Sequence, residues 1–398
     1  MAAISEEYAH ILDTHWGSLH EGWPAVDKAK FHRTEMKNVS DIETVKSALL
    51  DRLGYIPGFF FLTQIFGTHD YGSPYRNVEK GLLLLYALVT GDSLSNMARF
   101  VPKTSFYDLR KEFYLQDHQK LHHTITSKLY TMCSTLKLRL LLAKNNPDPF
   151  KHVTLNLDGH DSRVSYINAN KPRLYSYKLK KSKKSGFRVQ VCADMNNIVL
   201  FVSKPAPCKD NNDGTMLVKM KIPSLIHKLD CIALDGGYNG FWAKLWRQTQ
   251  YNKAFGGFRS KIESCFADLQ SKFAKFTHNA PVRFADEKPF ELQFKLCCLL
   301  TNIKKLVASQ NIAIQPHHGF WMQDGFDFLE SIEYQESYEK QPNIKAKLGY
   351  GHDLLELQEA FMSTTVSRSS TAEPEDSATT DMSQEDSGET KILEAPRR

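Results

Sequence analysis

The seven cysteines of this chain form no C-x-x-C pair and no Cys/His ladder, which argues against a structural zinc site. Their odd number also argues against a complete disulfide framework, so they read as small apolar core residues. Long hydrophobic runs are missing too. The longest apolar stretches, such as Gly81–Val89, are too short to span a bilayer, so no membrane partner is expected. No basic-then-apolar leader opens the chain, and an intracellular protein is the expectation. No internal repeat is visible.

What is present is charge, unevenly placed. The formal net charge is +6, yet from Ser363 onward eight acids face four bases, leaving about +10 on residues 1–362. A basic body with an acidic tail fits a nucleic-acid binder. The last 36 residues, 363–398, are rich in Ser, Thr, Glu and Asp and almost free of aromatics. Such a segment buries too little apolar area to offset its ordering entropy and is expected to be a disordered acidic tail. Residues 1–73 are aromatic-rich and suggest no role. Residues 74–145 read as helical, residues 146–308 alternate strand-like and helix-like stretches, and residues 309–362 read as a helical extension.

Within the middle block, period-two alternation and turn residues predict strands at Val153–Asp158, Phe187–Ala193, Ile198–Ser203 and Ile232–Asp235. Thr215–Leu229 reads as mainly helical, broken near Pro223. Ser260–Phe276 carries Ile262, Phe266, Leu269, Phe273 and Phe276 at helical spacing. This order predicts an α/β fold with a ribonuclease-H-like catalytic core. Two of the strands run into Asp-Gly, at Asp158-Gly159 and Asp235-Gly236. Strand ends of open α/β sheets commonly bind ligands, and the glycines leave room for a phosphate backbone or hydrated cation. Glu263, at the edge of the amphipathic stripe, is the candidate third carboxylate for a pair of divalent ions. Plainer readings stand beside these: Asp-Gly is a common turn, and Ser260-Lys261-Ile262-Glu263 is a capping-box pattern.

The segment from Lys171 to Arg188, "KPRLYSYKLKKSKKSGFR", holds eight bases and no acid. Lys178, Lys180, Lys181, Lys183, Lys184 and Arg188 are therefore candidate phosphate contacts, with a solvated loop or a nuclear localisation signal as the alternatives. Residues 77–114 read as a helix-turn-helix. Its third helix turns Phe106, Leu109 and Phe113 inward and leaves Lys103, Thr104, Tyr107, Arg110 and Lys111 to meet DNA.

The blocks "LDGHDSRV", "SYKLKKSKKSGFRVQVCADMNNIVLFVSKPAPCKDNNDGT", "ALDGGYN" and "YNKAFGGFRSKIESCFADLQSKFAKF" resemble those of the DDE superfamily endonucleases, specifically PIF/Harbinger-type transposases. The resemblance covers about residues 75–305, and the last block is its most specific part, with Arg259, Glu263, Phe266, Leu269 and Phe273 in place. It implies a metal-dependent DNA endonuclease or transposase in which Asp158, Asp235 and Glu263 hold two Mg²⁺ or Mn²⁺ ions, Asp158 bridging them. It further implies a helix-turn-helix module at residues 74–145, double-stranded DNA as substrate, DNA contact at Arg259, and a nuclear location. A Myb-like DNA-binding partner protein and a homo-oligomer are also among its implications. Two departures stand out: His160 and Asp161 follow Gly159 directly, and Asp235 and Glu263 are separated by only 28 positions. A domesticated DNA-binding descendant without nuclease activity is the alternative function.

Overall fold

The computed structural model describes residue 39, residues 41–67 and 77–327, and residues 392–394. Within these limits, residues 117, 133, 149, 166–176, 180, 181, 185, 209, 210, 235–248, 278–281, 284 and 285 lie outside the described set. Leu329–Glu389 form a separate unit that lies wholly outside it. The expected disordered acidic tail therefore falls outside the described residues, apart from Ile392–Glu394, which form a strand against the expectation of disorder.

The first half is helical. Helix α1, Ile42–Leu53, stops at Gly54, whose φ of 88° strains any residue with a Cβ. Helix α2, Tyr55–Phe60, continues as a π-helical turn over Phe61–Phe66. Helix α3, Asn77–Thr90, has no polar face and is buried nearly all round. Two short helices follow, α4 at Leu94–Met97, where the Ser93 hydroxyl accepts from the Asn96 N–H, and α5 at Lys103–Lys111. Helix α6 spans His118–Met132 and α7 spans Leu136–Ala143.

The sheet begins with β1, Leu155–Ser165. A separate hairpin, β2 (Tyr177–Leu179) and β3 (Ser182–Lys184), comes next, followed by β4 (Gly186–Asp194), β5 (Val199–Val202) and β6 (Ala206–Pro207). Helix α8 spans Asp213–Met220 and strand β7 spans Ile232–Leu234. Helix α9 runs over Thr249–Lys272, β8 over Val282–Arg283, α10 over Glu287–Ser309 and β9 over Ile392–Glu394. The strand order is β5-β4-β1-β7-β9, with β6 on β4 and β8 on β1. Strands β1, β4 and β5 are antiparallel in turn, whereas β7 is parallel to β1, so the fold is mixed α/β with a mixed sheet.

Each sheet face has its own cover. Phe187, Val189, Val191 and Ala193 share one core with Ile262, Cys265 and Leu269 of α9 and with α10. Leu155, Leu157, Cys192, Leu200, Ile232 and Leu234 form another with Leu217 of α8 and Ile222. The six described cysteines are free and buried, in line with their reading as core residues.

A buried ion pair fixes the two central strands. Arg139 of α7 donates to both Asp230 oxygens at 2.9 and 2.7 Å, and Thr154 Oγ1 donates to the same carboxylate at 2.9 Å. Thr154 Oγ1 also accepts from the Cys231 N–H at 3.0 Å, so the clamp joins the start of β1 to the start of β7.

A second buried carboxylate ends β4. Asp194 accepts from the Asn196 and Ile198 N–H groups, both at 2.9 Å, and from Ser134. Burial nevertheless pushes its pKa up to about 6. An acid whose pKa is higher folded than unfolded stabilises the fold at low pH, and that contribution is lost as pH rises from about 4 through about 6. Asp194→Asn retains an acceptor for the two N–H groups and has nothing to titrate. Urea unfolding across this window is expected to show a flatter stability profile for the variant than for the parent; equal profiles would refute the assignment.

Two expected boundaries differ from those found. The first strand does not end at Asp158 but continues to Ser165, because β4 pairs with it from Leu155 through Arg163. The predicted helix at Ser260 starts instead at Thr249, so Ser260 is interior, where no N–H is orphaned and a capping box has no function.

Candidate active site

Along β1 the side chains alternate between the two cores, and the even positions face α9 and α10. Those positions are Asn156, Asp158, His160 and Ser162, a polar row on the buried face of a central strand. Asn156 is 2% exposed, and neither its amide oxygen nor its nitrogen has a hydrogen-bond partner among the described residues; the Ser162 hydroxyl is in the same condition. Buried polar groups are normally satisfied, so this row marks a place where the fold tolerates a cost.

Asp158 is half-buried, and its Oδ1 accepts the Gly159 N–H at 2.7 Å. It lies one residue beyond the last parallel pair of β1 and β7, Leu157 with Leu234. Asp235 follows Leu234 directly and lies outside the described residues, so the sheet sets the residues before the two aspartates side by side.

Glu263 is exposed on α9, next to buried Ile262. One turn further on, the Phe266 ring lies 5.1 Å from His160, whose other ring neighbour is Phe294 at 5.4 Å. Ser264 accepts from the Asn197 side chain at 2.7 Å. These contacts seat α9 on the face of β1 that carries Asp158. No group of three or more His, Cys, Asp or Glu able to hold a metal ion occurs among the described residues.

The opposite face of β1 departs from expectation. Asp161 receives two hydrogen bonds from Arg188, at 2.7 and 2.8 Å, and Arg188 also reaches Asp213 at 3.0 Å. The Asp161 hydrogen bond, working against burial, raises the guanidinium pKa further. Arg188, expected to meet phosphate, is thus held by two acids within the fold. The space beside Gly159 is likewise taken: a Cβ there would lie 3.1 Å from Asp213 and 3.6 Å from Arg188. It admits this ion pair rather than an incoming backbone. His160 and Asp161, which follow Gly159, are both strand residues.

The basic segment forms the β2–β3 hairpin, in which Lys178 pairs with Lys183 and Tyr177 with Lys184. Lys180 and Lys181 lie outside the described residues, as do the side chains of Lys178, Lys183, Lys184 and Arg259. In the helical half, α3, α4 and α5 form close to the expected positions. Lys103, Thr104, Tyr107 and Lys111 are exposed on α5. Arg110 differs: it pairs with Asp286 at 2.9 Å and lines a pocket of about 540 Å³ with Tyr114 and Gln293. It serves the contact between α5 and the start of α10.

Asn156 and Ser162 were not singled out from the sequence. Their signal was the unbroken polar alternation N-x-D-x-H-x-S, which conceals a buried strand face from any reading that seeks apolar residues. No family model, curated protein or solved structure matches this chain, and no described helix is long and apolar enough to cross a membrane.

Proposed function

We propose that this chain is a metal-dependent DNA endonuclease of the PIF/Harbinger transposase type, with a ribonuclease-H-like core and a helix-turn-helix reader at α3–α5. The observation that supports this reading is the pairing of Leu157 with Leu234, which aligns the residues preceding Asp158 and Asp235, while α9, the helix that carries Glu263, packs on the Asp158 face of the sheet through Phe266. The chemistry of the donors fits Mg²⁺ or Mn²⁺, since carboxylates are hard oxygen ligands. Asp158, Asp235 and Glu263 would hold the ions. Two such ions supply activation of an attacking water and stabilisation of the leaving 3′-oxygen.

The chain's own residues have separate tasks. Asp158 and Glu263 would bring negative charge to the metal site. His160, wedged between Phe266 and Phe294, holds α9, which carries Glu263, against β1. The exposed side chains of α5 would meet the duplex and fix its register. Joining of the freed strand to target DNA, a nuclear location, a homo-oligomer and a Myb-like partner protein belong to the same proposal.

The test is cleavage of supercoiled plasmid by the purified full chain. Nicking is expected with Mg²⁺ or Mn²⁺, none in EDTA, and none with Asp235→Ala despite unchanged DNA binding. Cleavage by Asp235→Ala at the parent rate would remove Asp235 from the site. Binding without cleavage under all metal conditions would favour the domesticated alternative.

A further inference from the structure

A groove of about 1010 Å³ lies between α6, the β5–β6 edge of the sheet, α8 and α10. Lys204, Lys219, Lys295, His122 and His123 line it, and no carboxylate is among its described lining residues. Lys295, buried on its floor, is paired with Glu291, its ammonium 2.8 Å from Oε1 and 2.7 Å from His122 Nε2. Lys219 is steadied by donating to the Asn211 side chain. Tyr130 is 43% exposed and rests on Phe201, with ring centroids 5.1 Å apart. Met216, Met220 and Leu225 supply an apolar wall.

The exposed Lys204 and Lys219, beside an aromatic platform and an apolar wall, match the needs of an unpaired nucleic-acid strand, which offers phosphates and flat bases together. A peptide adding to the sheet edge fits less well. The chain leaving β5 carries Pro205 and Pro207, which lack N–H donors for a new strand. The groove also shares a row with the candidate site: Asp158 pairs with Val191, and Val191 pairs with Val202, which lines the groove. Two strand spacings separate the rows' ends, about 10 Å.

We propose that this groove binds a single unpaired strand of nucleic acid, with bases on Tyr130 and phosphates on Lys204 and Lys219. The link to Asp158 rests on the nuclease reading, whereas binding in the groove does not. A strand held here is separated from its complement next to the candidate cleavage site.

The experiment measures binding of a fluorescent oligo-dT and of a hairpin duplex to the full chain in EDTA, where no cleavage occurs. Tyr130→Ala is expected to weaken oligo-dT binding about tenfold and leave duplex binding unchanged. Lys204→Glu is expected to weaken oligo-dT binding and to lower its salt dependence. A 5-iodouracil oligonucleotide should crosslink to the peptide containing Tyr130, a readout that needs no variant. The proposal is overturned by unchanged binding in Tyr130→Ala, by equal losses for both DNA forms, by crosslinks confined to other peptides, or by displacement of oligo-dT from Tyr130 by an acidic peptide at lower concentration than by unlabelled oligo-dT. Because no metal is present, these outcomes are independent of the plasmid cleavage result.

Discussion

Asp158→Asn is expected to leave a folded, DNA-binding protein whose metal-dependent cleavage has fallen by more than about a hundredfold, because even outer-shell partners of metal ligands cost about 10–100-fold. The substitution is nearly isosteric and keeps an oxygen to accept the Gly159 N–H. It therefore removes charge without breaking β1. Glu263→Gln is expected to act in the same way, and more cleanly for folding, since Glu263 is exposed on α9. Plasmid nicking rates, with thermal melting and duplex binding as controls, decide the matter. Parent-like cleavage by both variants would end the two-carboxylate reading, whatever Asp235 does.

Arg139→Ala is expected to lower stability by about 3–5 kcal/mol, the usual cost of removing one partner from a buried ion pair. Against a typical total of about 5–15 kcal/mol, that is a large share. The physical reason is the fate of Asp230, which is 2% exposed overall with a fully buried side chain. Without the guanidinium its carboxylate keeps, among the described residues, Thr154 Oγ1 and the His227 N–H, neither of which carries charge. Replacing both partners by apolar residues, Arg139→Met with Asp230→Leu, is expected to recover much of the loss. Urea unfolding measures both. A loss under about 1 kcal/mol in Arg139→Ala would place the pair with weak surface bridges.

The clamp bears on function because it aligns β1 with β7. If Arg139→Ala folds at low temperature yet cleaves poorly there, the register of the two aspartate-bearing strands is what the pair protects.

Part of the secondary structure was legible in the chain, where it depends on local periodicity, whereas the β2–β3 hairpin and helix α10 were not read from it. Alternation located β4 and β5 to within one residue at each end, and Gly91 and Pro102 separated the helices of the α3–α5 region. The far half of β1 was not legible. Gly159, His160, Asp161 and Ser162 resemble a turn, and only pairing with β4 makes them a strand. Helix α9 was read too short because its first eleven residues lack the apolar stripe that marks its packed part. Asp158 and Glu263 could be named from spacing and resemblance. Asn156 could not, since an isolated asparagine says nothing until it is buried.

By itself the sequence determined which residues could carry charge or fill a core, and where helices and strands would break. Tertiary structure alone decided which charges stay available to a ligand. Arg188 is taken by Asp161, 27 positions away, and Arg110 by Asp286, 176 positions away. The polar row on β1 is buried by α9 and α10, and the lining of the groove comes from four separate elements. Charge and hydrogen bonding act through space over a few ångströms, and chain order alone does not specify which distant groups come that close.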